Sequence, residues 1–104
     1  MKNNNRQITQ ILIWLMTRTT GGKTRTQIIQ SLKQTPQNAN QLSTGLKFSY
    51  KTICHHLGVL QKNRLLISTG NTYPTVYFLS ETMEENYEIF QEITSPKKLN
   101  AAAL

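Results

Sequence analysis

Acidic side chains are missing from the first eighty residues. Ten Lys and Arg fall in that stretch, and all five acids lie between Glu81 and Glu92. Such a split marks a basic working surface and a separate acidic element kept off it, and a polyanion is the partner such a surface selects. A basic protein that is merely soluble is the plainer alternative, and the length of the acid-free stretch argues against it. Cysteine is nearly absent as well. Cys54 stands alone, which excludes an intramolecular disulfide and a four-cysteine zinc site. No apolar run approaches the ~20 residues that span a bilayer. The best candidate, Ile8 to Met16, is too short, is flanked by polar residues and lacks a small-residue cleavage site. No signal peptide is read from it, no membrane partner is expected, and a cytoplasmic location is the simplest expectation. The parts of a catalytic centre are missing too. The carboxylates share one late segment, both histidines share another, and no serine has triad partners, so no enzyme activity and no cofactor are expected.

What remains suffices for one small domain. A chain of 104 residues, 38% of them apolar, can build a single modest core. Residues 1–6, with three consecutive Asn, read as a disordered start. A first helix is predicted from Gln7 to Thr19, with Ile8, Ile11, Leu12 and Leu15 on its core stripe. Ile13, Trp14 and Met16 make much of the rest apolar, and that surplus points to a partner subunit. Gly21-Gly22 breaks the helix. A second is predicted from Thr24, its cap, to Gln34, burying Ile28, Ile29 and Leu32 and stopped by Pro36. Gly22-Lys23-Thr24 has the ending of a phosphate loop, but Thr17 stands where the first glycine belongs and no strand precedes it. A plain helix start is preferred.

A short third helix is predicted from Asn38 to Gly45, with Ala39, Leu42 and Leu46 buried, then a turn at Lys47-Phe48 with Phe48 as a core plug. The fourth helix, residues 49–63, is the stretch on which function rests. Ile53, Leu57 and Leu60 recur at i, i+4, i+7, and Ser49 is placed to cap the first turn. The opposite face carries Tyr50, Lys51, Cys54, His55 and Lys62, donors and cations without an acid. That face suits a DNA major groove, where bases offer mainly acceptors and phosphates are negative. After Arg64 the period changes. Leu65–Ser68 and Thr75–Leu79 are β-rich, and Gly70-Asn71-Thr72-Tyr73-Pro74 separates them with turn formers, so residues 65–79 form a hairpin. Ser80 or Thr82 caps a last helix to about Ile93, Thr82 with Glu85 fitting a capping box. Met83, Tyr87, Ile89, Phe90 and Ile93 share its broad apolar face. Residues 95–104 read as a disordered tail, partly vector-derived.

The domain expected over residues 7–94 is thus mainly α with a small β-hairpin wing: four helices, two strands and a helix. This order resembles the ArsR-type winged helix-turn-helix family, particularly its archaeal members. The likeness is carried by Gly21–Arg25, by Asn38-Ala39-Asn40-Gln41-Leu42, by Tyr50–Leu60 and by Val76-Tyr77-Phe78-Leu79-Ser80. It covers about Lys23 to Ser80 well and the flanking helices by topology. It implies a homodimeric transcription regulator that pairs through its first and last helices and sets two recognition helices in successive major grooves of double-stranded DNA. By position in the motif, Tyr50, Lys51, Cys54 and His55 match the family's groove-facing residues. The metal-sensing branch carries a cysteine cluster in the helix-turn-helix or Asp, His and Glu ligands on the last helix. This chain has neither, so metal sensing is not carried over.

Each candidate has a plainer reading beside it. Lys51 contacts guanine or phosphate, or is a solvated lysine. Tyr50 reads a base, or packs on the third helix. Ser49 and Thr52 lie within reach of phosphate. Lys47, Lys62 and Arg64 bracket the recognition helix and are assigned to phosphates. Lys23 and Arg25 are further candidates, two of these five being expected to be ordinary solvated charge. Asn71 and Thr72 supply hydrogen-bonding groups at the wing tip. Cys54-His55-His56 does not make a metal site, because neighbours on a helix point ~100° apart. His56 is expected to be partly buried and hydrogen-bonded. Leu12, Trp14, Met16, Tyr87 and Phe90 are assigned to the dimer interface, with closure of the monomer's own core as the alternative for about half of them. The competing function is a winged-helix module that binds RNA or a protein. RNA readers usually display stacking aromatics, and this basic face has only Tyr50, with Tyr73 on the wing.

Overall fold

In a computed structural model that describes residues 5–95, the helical period and the turn glycines decide where each element begins. Helix α1 spans Asn5–Thr17, α2 Gly22–Gln34, strand β1 Gln37–Asn38, α3 Ala39–Leu46, α4 Tyr50–Lys62, β2 Leu66–Ser68, β3 Val76–Leu79, α5 Glu81–Glu85 and α6 Tyr87–Thr94. The class is the expected one, mainly helical with a β wing, but the sheet has three strands. β1 and β2 flank β3, both antiparallel to it. Gln37 pairs with Tyr77 and Asn38 with Val76 on one side, and Ile67 pairs with Phe78 on the other. A two-residue strand carries no period, so the sequence pattern could not reveal β1. Disordered regions are expected at residues 1–6 and 95–104; of these, residues 1–4 and 96–104 lie outside the described residues, and Asn5 and Arg6 belong to the first turn of α1.

The α1–α2 junction departs from expectation. Thr24 does not cap α2; Gly21 does, in the left-handed region at φ 95°, with no side-chain cap. The helix starts early because two glycines let the chain double back tightly. A Cβ on Gly22 would stand 2.1 Å from the Met16 carbonyl oxygen. Left-handed backbone is costly for residues that have a Cβ and nearly free for glycine.

One core joins the elements. Ile8, Leu12 and Leu15 of α1 meet Ile28, Ile29 and Leu32 of α2, Leu42 of α3, and Ile53, Leu57 and Leu60 of α4. Truncating a fully buried leucine such as Leu42 to alanine costs about 2–5 kcal/mol in such a setting. The last helix is two helices. Asn86 is buried and its side chain donates to the Thr82 carbonyl at 2.8 Å, so the chain turns between α5 and α6. Ser80, not Thr82, is the cap: its hydroxyl accepts from the Met83 amide at 3.1 Å. α6 then packs against α1.

The α1–α6 surface corrects part of the dimer assignment. Leu12 and Phe90 are wholly buried inside the subunit, and Met16 nearly so, because the 3.6-residue period turns all three into the core. They have no surface to offer a partner. Trp14 is 60% exposed, and Tyr87 is half-buried against Phe90. Among the described residues no helix is long and apolar enough to cross a membrane.

Candidate nucleic-acid interface

Three residues connect α3 to α4, and their backbone is held from several sides. The Ser43 carbonyl accepts from the amides of Lys47 at 2.9 Å and Phe48 at 3.2 Å, and the Ser43 hydroxyl donates back to the Phe48 carbonyl at 2.6 Å. Phe48 packs partly buried on the core, as the plug reading expects. Ser49 caps α4 as expected, its hydroxyl accepting from the Thr52 amide at 3.1 Å. At the other end Asn38 and Gln41 cap α3 reciprocally, backbone to side chain in both directions at 2.8 Å. The sequence signal of this box is Asn-x-x-Gln at Asn38 and Gln41.

Two basic residues stand at the ends of α4 in left-handed backbone. Lys47 has φ 64° and Arg64 φ 62°. Glycine would sit there without strain, whereas a residue with a Cβ costs about 1–2 kcal/mol. At each site a cation takes the place that backbone energetics would give to glycine. Arg64 is fastened through its carbonyl, which accepts from the buried Ser80 hydroxyl at 2.8 Å, while the Ser80 amide donates to the Leu65 carbonyl at 2.9 Å. Ser80 therefore joins the end of the wing, the start of α5 and the exit from α4, a role that its sequence position did not announce.

Between those ends α4 divides cleanly. Ile53, His56, Leu57 and Leu60 are buried, and Tyr50, Lys51, His55 and Lys62 are exposed, with Thr52 and Cys54 half-buried at the margin. Tyr50 is 56% exposed. A hydrogen bond to Cys54, one turn on, raises the Tyr50 phenol above its ordinary pKa, and Tyr73 and Tyr77 of the wing add smaller contributions. Burial raises Tyr77, with Cys54 second. Cys54 thus lies among the phenols of α4 and the wing. The Gln61 amide donates to the Ser68 hydroxyl at 3.2 Å and ties the wing to the helix. At the wing tip Asn71 and Thr72 are exposed and Tyr73 is 93% exposed.

The outlying basic candidates separate. Lys23 is exposed; Arg25 is not. Arg25 is 4% exposed and spends its donors inside the protein, so it is corrected from a phosphate contact to a structural cation. A guanidinium carries a fixed planar fork of donors, which suits a cluster of backbone carbonyls. Nε and Nη2 reach the Leu15 carbonyl at 3.1 and 2.9 Å, Nη2 also meets the Thr19 hydroxyl and the Thr20 carbonyl, and Nη1 lies 3.0 Å from His56 Nδ1. Burial lowers its pKa from the ordinary value. Cys54, His55 and His56 diverge as expected, with His55 exposed and His56 buried against α2. Among the described residues the one ion pair is Lys33 with Glu84 at 2.7 Å, where Lys33 also lies 4.8 Å above the Tyr87 ring. Among the described residues the cations around α4 pair with no carboxylate.

Helix α3, a three-residue turn, α4 and the β2–β3 hairpin define a winged helix-turn-helix domain. Residues 22–68, from the start of α2 to the end of β2, match the model of the family described as "Bacterial regulatory protein, arsR family". No curated protein matches the chain in sequence. Among solved structures, the adhesin competence repressor (AdcR) from Streptococcus pyogenes is similar at 22% identity and a TM-score of 0.59, over 98% of this chain and 77% of that one. That likeness establishes the shared fold.

Proposed function

We propose that this protein is a transcriptional regulator that binds double-stranded DNA sequence-specifically as a homodimer in the cytoplasm. Helix α4 enters the major groove, with the wing beside it. The observation that carries this reading is the exposed, acid-free face of α4, flanked by Lys47, Lys62 and Arg64, in the part of the chain that matches the family. Tyr50, Lys51, Cys54 and His55 are the groove-facing set. Ser49 and Thr52 hold register on phosphate, and Asn71 and Thr72 reach the backbone or the adjacent groove from the wing. Lys51 is the first choice for a direct contact, because an ammonium serves guanine acceptors and phosphates equally. The dimer is supported by Trp14 standing out of α1, with Ile11 and Ile13 half-buried on α1 and Tyr87, Ile89 and Ile93 half-buried on α6. In this reading Leu12, Met16 and Phe90 support the interface from beneath.

A mobility shift with random duplex DNA and with single-stranded RNA tests the ligand class. Duplex is expected to bind more tightly. The competing RNA reading draws on the exposed phenols of Tyr50 and Tyr73, and it gains if the single strand wins. Selection from a random duplex pool should return an inverted repeat with half-sites about 10 bp apart. Sedimentation at micromolar concentration should find a dimer.

A further inference from the structure

The guanidinium of Arg25 and the ring of His56 meet where the recognition helix touches the α1–α2 junction. Three elements converge there. The α1 end contributes the Leu15 carbonyl and the Thr19 hydroxyl, α2 contributes Arg25, and α4 contributes His56. Gly21 completes the contact: a Cβ at that position would stand 2.6 Å from His56 Cε1 and 3.2 Å from Arg25 Nη1, so only glycine lets the imidazole in. No acid in the chain precedes Glu81, and among the described residues no carboxylate pairs with this arginine. The arrangement therefore depends on neutral acceptors. Three are oxygens of fixed protonation, and the fourth is a ring nitrogen that titrates.

The tautomer follows from the partner. Nη1 of a guanidinium can only donate, so His56 Nδ1 accepts and the ring's proton sits on Nε2. Adding a proton at Nδ1 sets donor against donor at 3.0 Å and brings a second positive charge onto Arg25. The titratable or charged groups that act on His56 are Arg25 from α2 and His55 from its own helix, whose ring centroid is 5.0 Å away. Both oppose protonation, and among the described residues no anion relieves them.

We infer that Gly21, Arg25 and His56 form a proton-sensitive lock that holds the recognition helix against α1 and α2, and that mild acid releases it. The consequence for DNA rests on the function proposed above; the lock itself does not. Burial first, then Arg25, then His55 push His56 below its ordinary pKa. For a base held below its unfolded value, the open state binds more protons. The stabilisation is complete above about pH 6.5 and is lost as pH falls through the folded value. Relative to a free imidazole, opening at pH 5.5 is favoured by up to about tenfold over pH 7.5.

Hydrogen exchange of the α4 amides in the full-length free protein tests the lock without DNA. Protection, corrected for intrinsic exchange, should fall up to about tenfold from pH 7.5 to 5.5 in wild type. It should stay constant in His56→Asn, whose amide oxygen can replace Nδ1 as a fixed acceptor, and should still fall in His55→Asn. Unchanged protection in wild type overturns the lock, as does an undiminished pH effect in a folded His56→Asn. If His56→Asn does not fold, the wild-type profile together with the His56 ring titration decides, and a ring that titrates at or above pH 6.5 is contrary. A duplex shift run beside these separates the two ideas: absence of duplex binding at both pH values removes the proposed function and leaves the exchange result standing.

Discussion

Helices α1 and α4 have the same length, 13 residues, and each buries one stripe in the common core. They differ in what they leave outside. α4 presents Tyr50, Lys51, His55 and Lys62 to solvent, whereas α1 presents Trp14 with Ile11 and Ile13 half-covered beside it. A cationic face suits a polyanion; a tryptophan with aliphatic neighbours suits another protein surface. Two helices of one period in one core are thus assigned to two kinds of partner by their outward residues alone.

Charge reversal on one helix and anchor removal on the other should have separate consequences. The largest effect is expected from Lys51→Glu: duplex affinity falls by at least about 10²-fold, since one side-chain contact to base or phosphate is lost in each half-site. Melting temperature and dimer content should not change. Trp14→Glu should act the other way, raising the dimer dissociation constant about 10²-fold in sedimentation, with duplex binding weakened only through loss of the second half-site. If Lys51→Glu dissolves the dimer, or Trp14→Glu abolishes DNA binding without changing assembly, the division between the helices fails. Gly22→Ala touches neither face and should lower unfolding free energy by about 2–3 kcal/mol in urea, because its Cβ meets the Met16 carbonyl. The smallest change is expected from Lys47→Gly. Relief of left-handed backbone should offset the entropy glycine adds to the unfolded chain, leaving stability within about 1 kcal/mol. Duplex affinity should still fall severalfold through the lost cation, which would separate binding from stability at that residue.

Much of this arrangement was legible in the sequence, and the failures share a cause. The Ile53–Leu57–Leu60 stripe and the Ser49 cap were readable because they depend on local period and local chemistry. So was the outward set of α4, since burying one face of a helix exposes the other. Leu12, Met16 and Phe90 were misassigned because apolar identity does not say which core a residue joins. Arg25 was misread for a similar reason: a lysine or arginine at a helix start reads as solvated until the chain is folded and Leu15, Thr19 and His56 close around it. The break at Asn86 and the two-residue strand β1 were invisible because a single side-chain bond and a tertiary pairing create them. Ser80 looked like a helix cap and is one; that it also clasps Arg64 required the fold.

The salt dependence of duplex affinity tests the central claim most directly. If six to ten phosphates are engaged per dimer by Lys47, Lys51, Lys62, Arg64 and their symmetry mates, the association constant should fall by about 10³–10⁵ between 50 and 200 mM salt. An affinity that stays flat across that range would contradict the assignment of the α4 face to DNA.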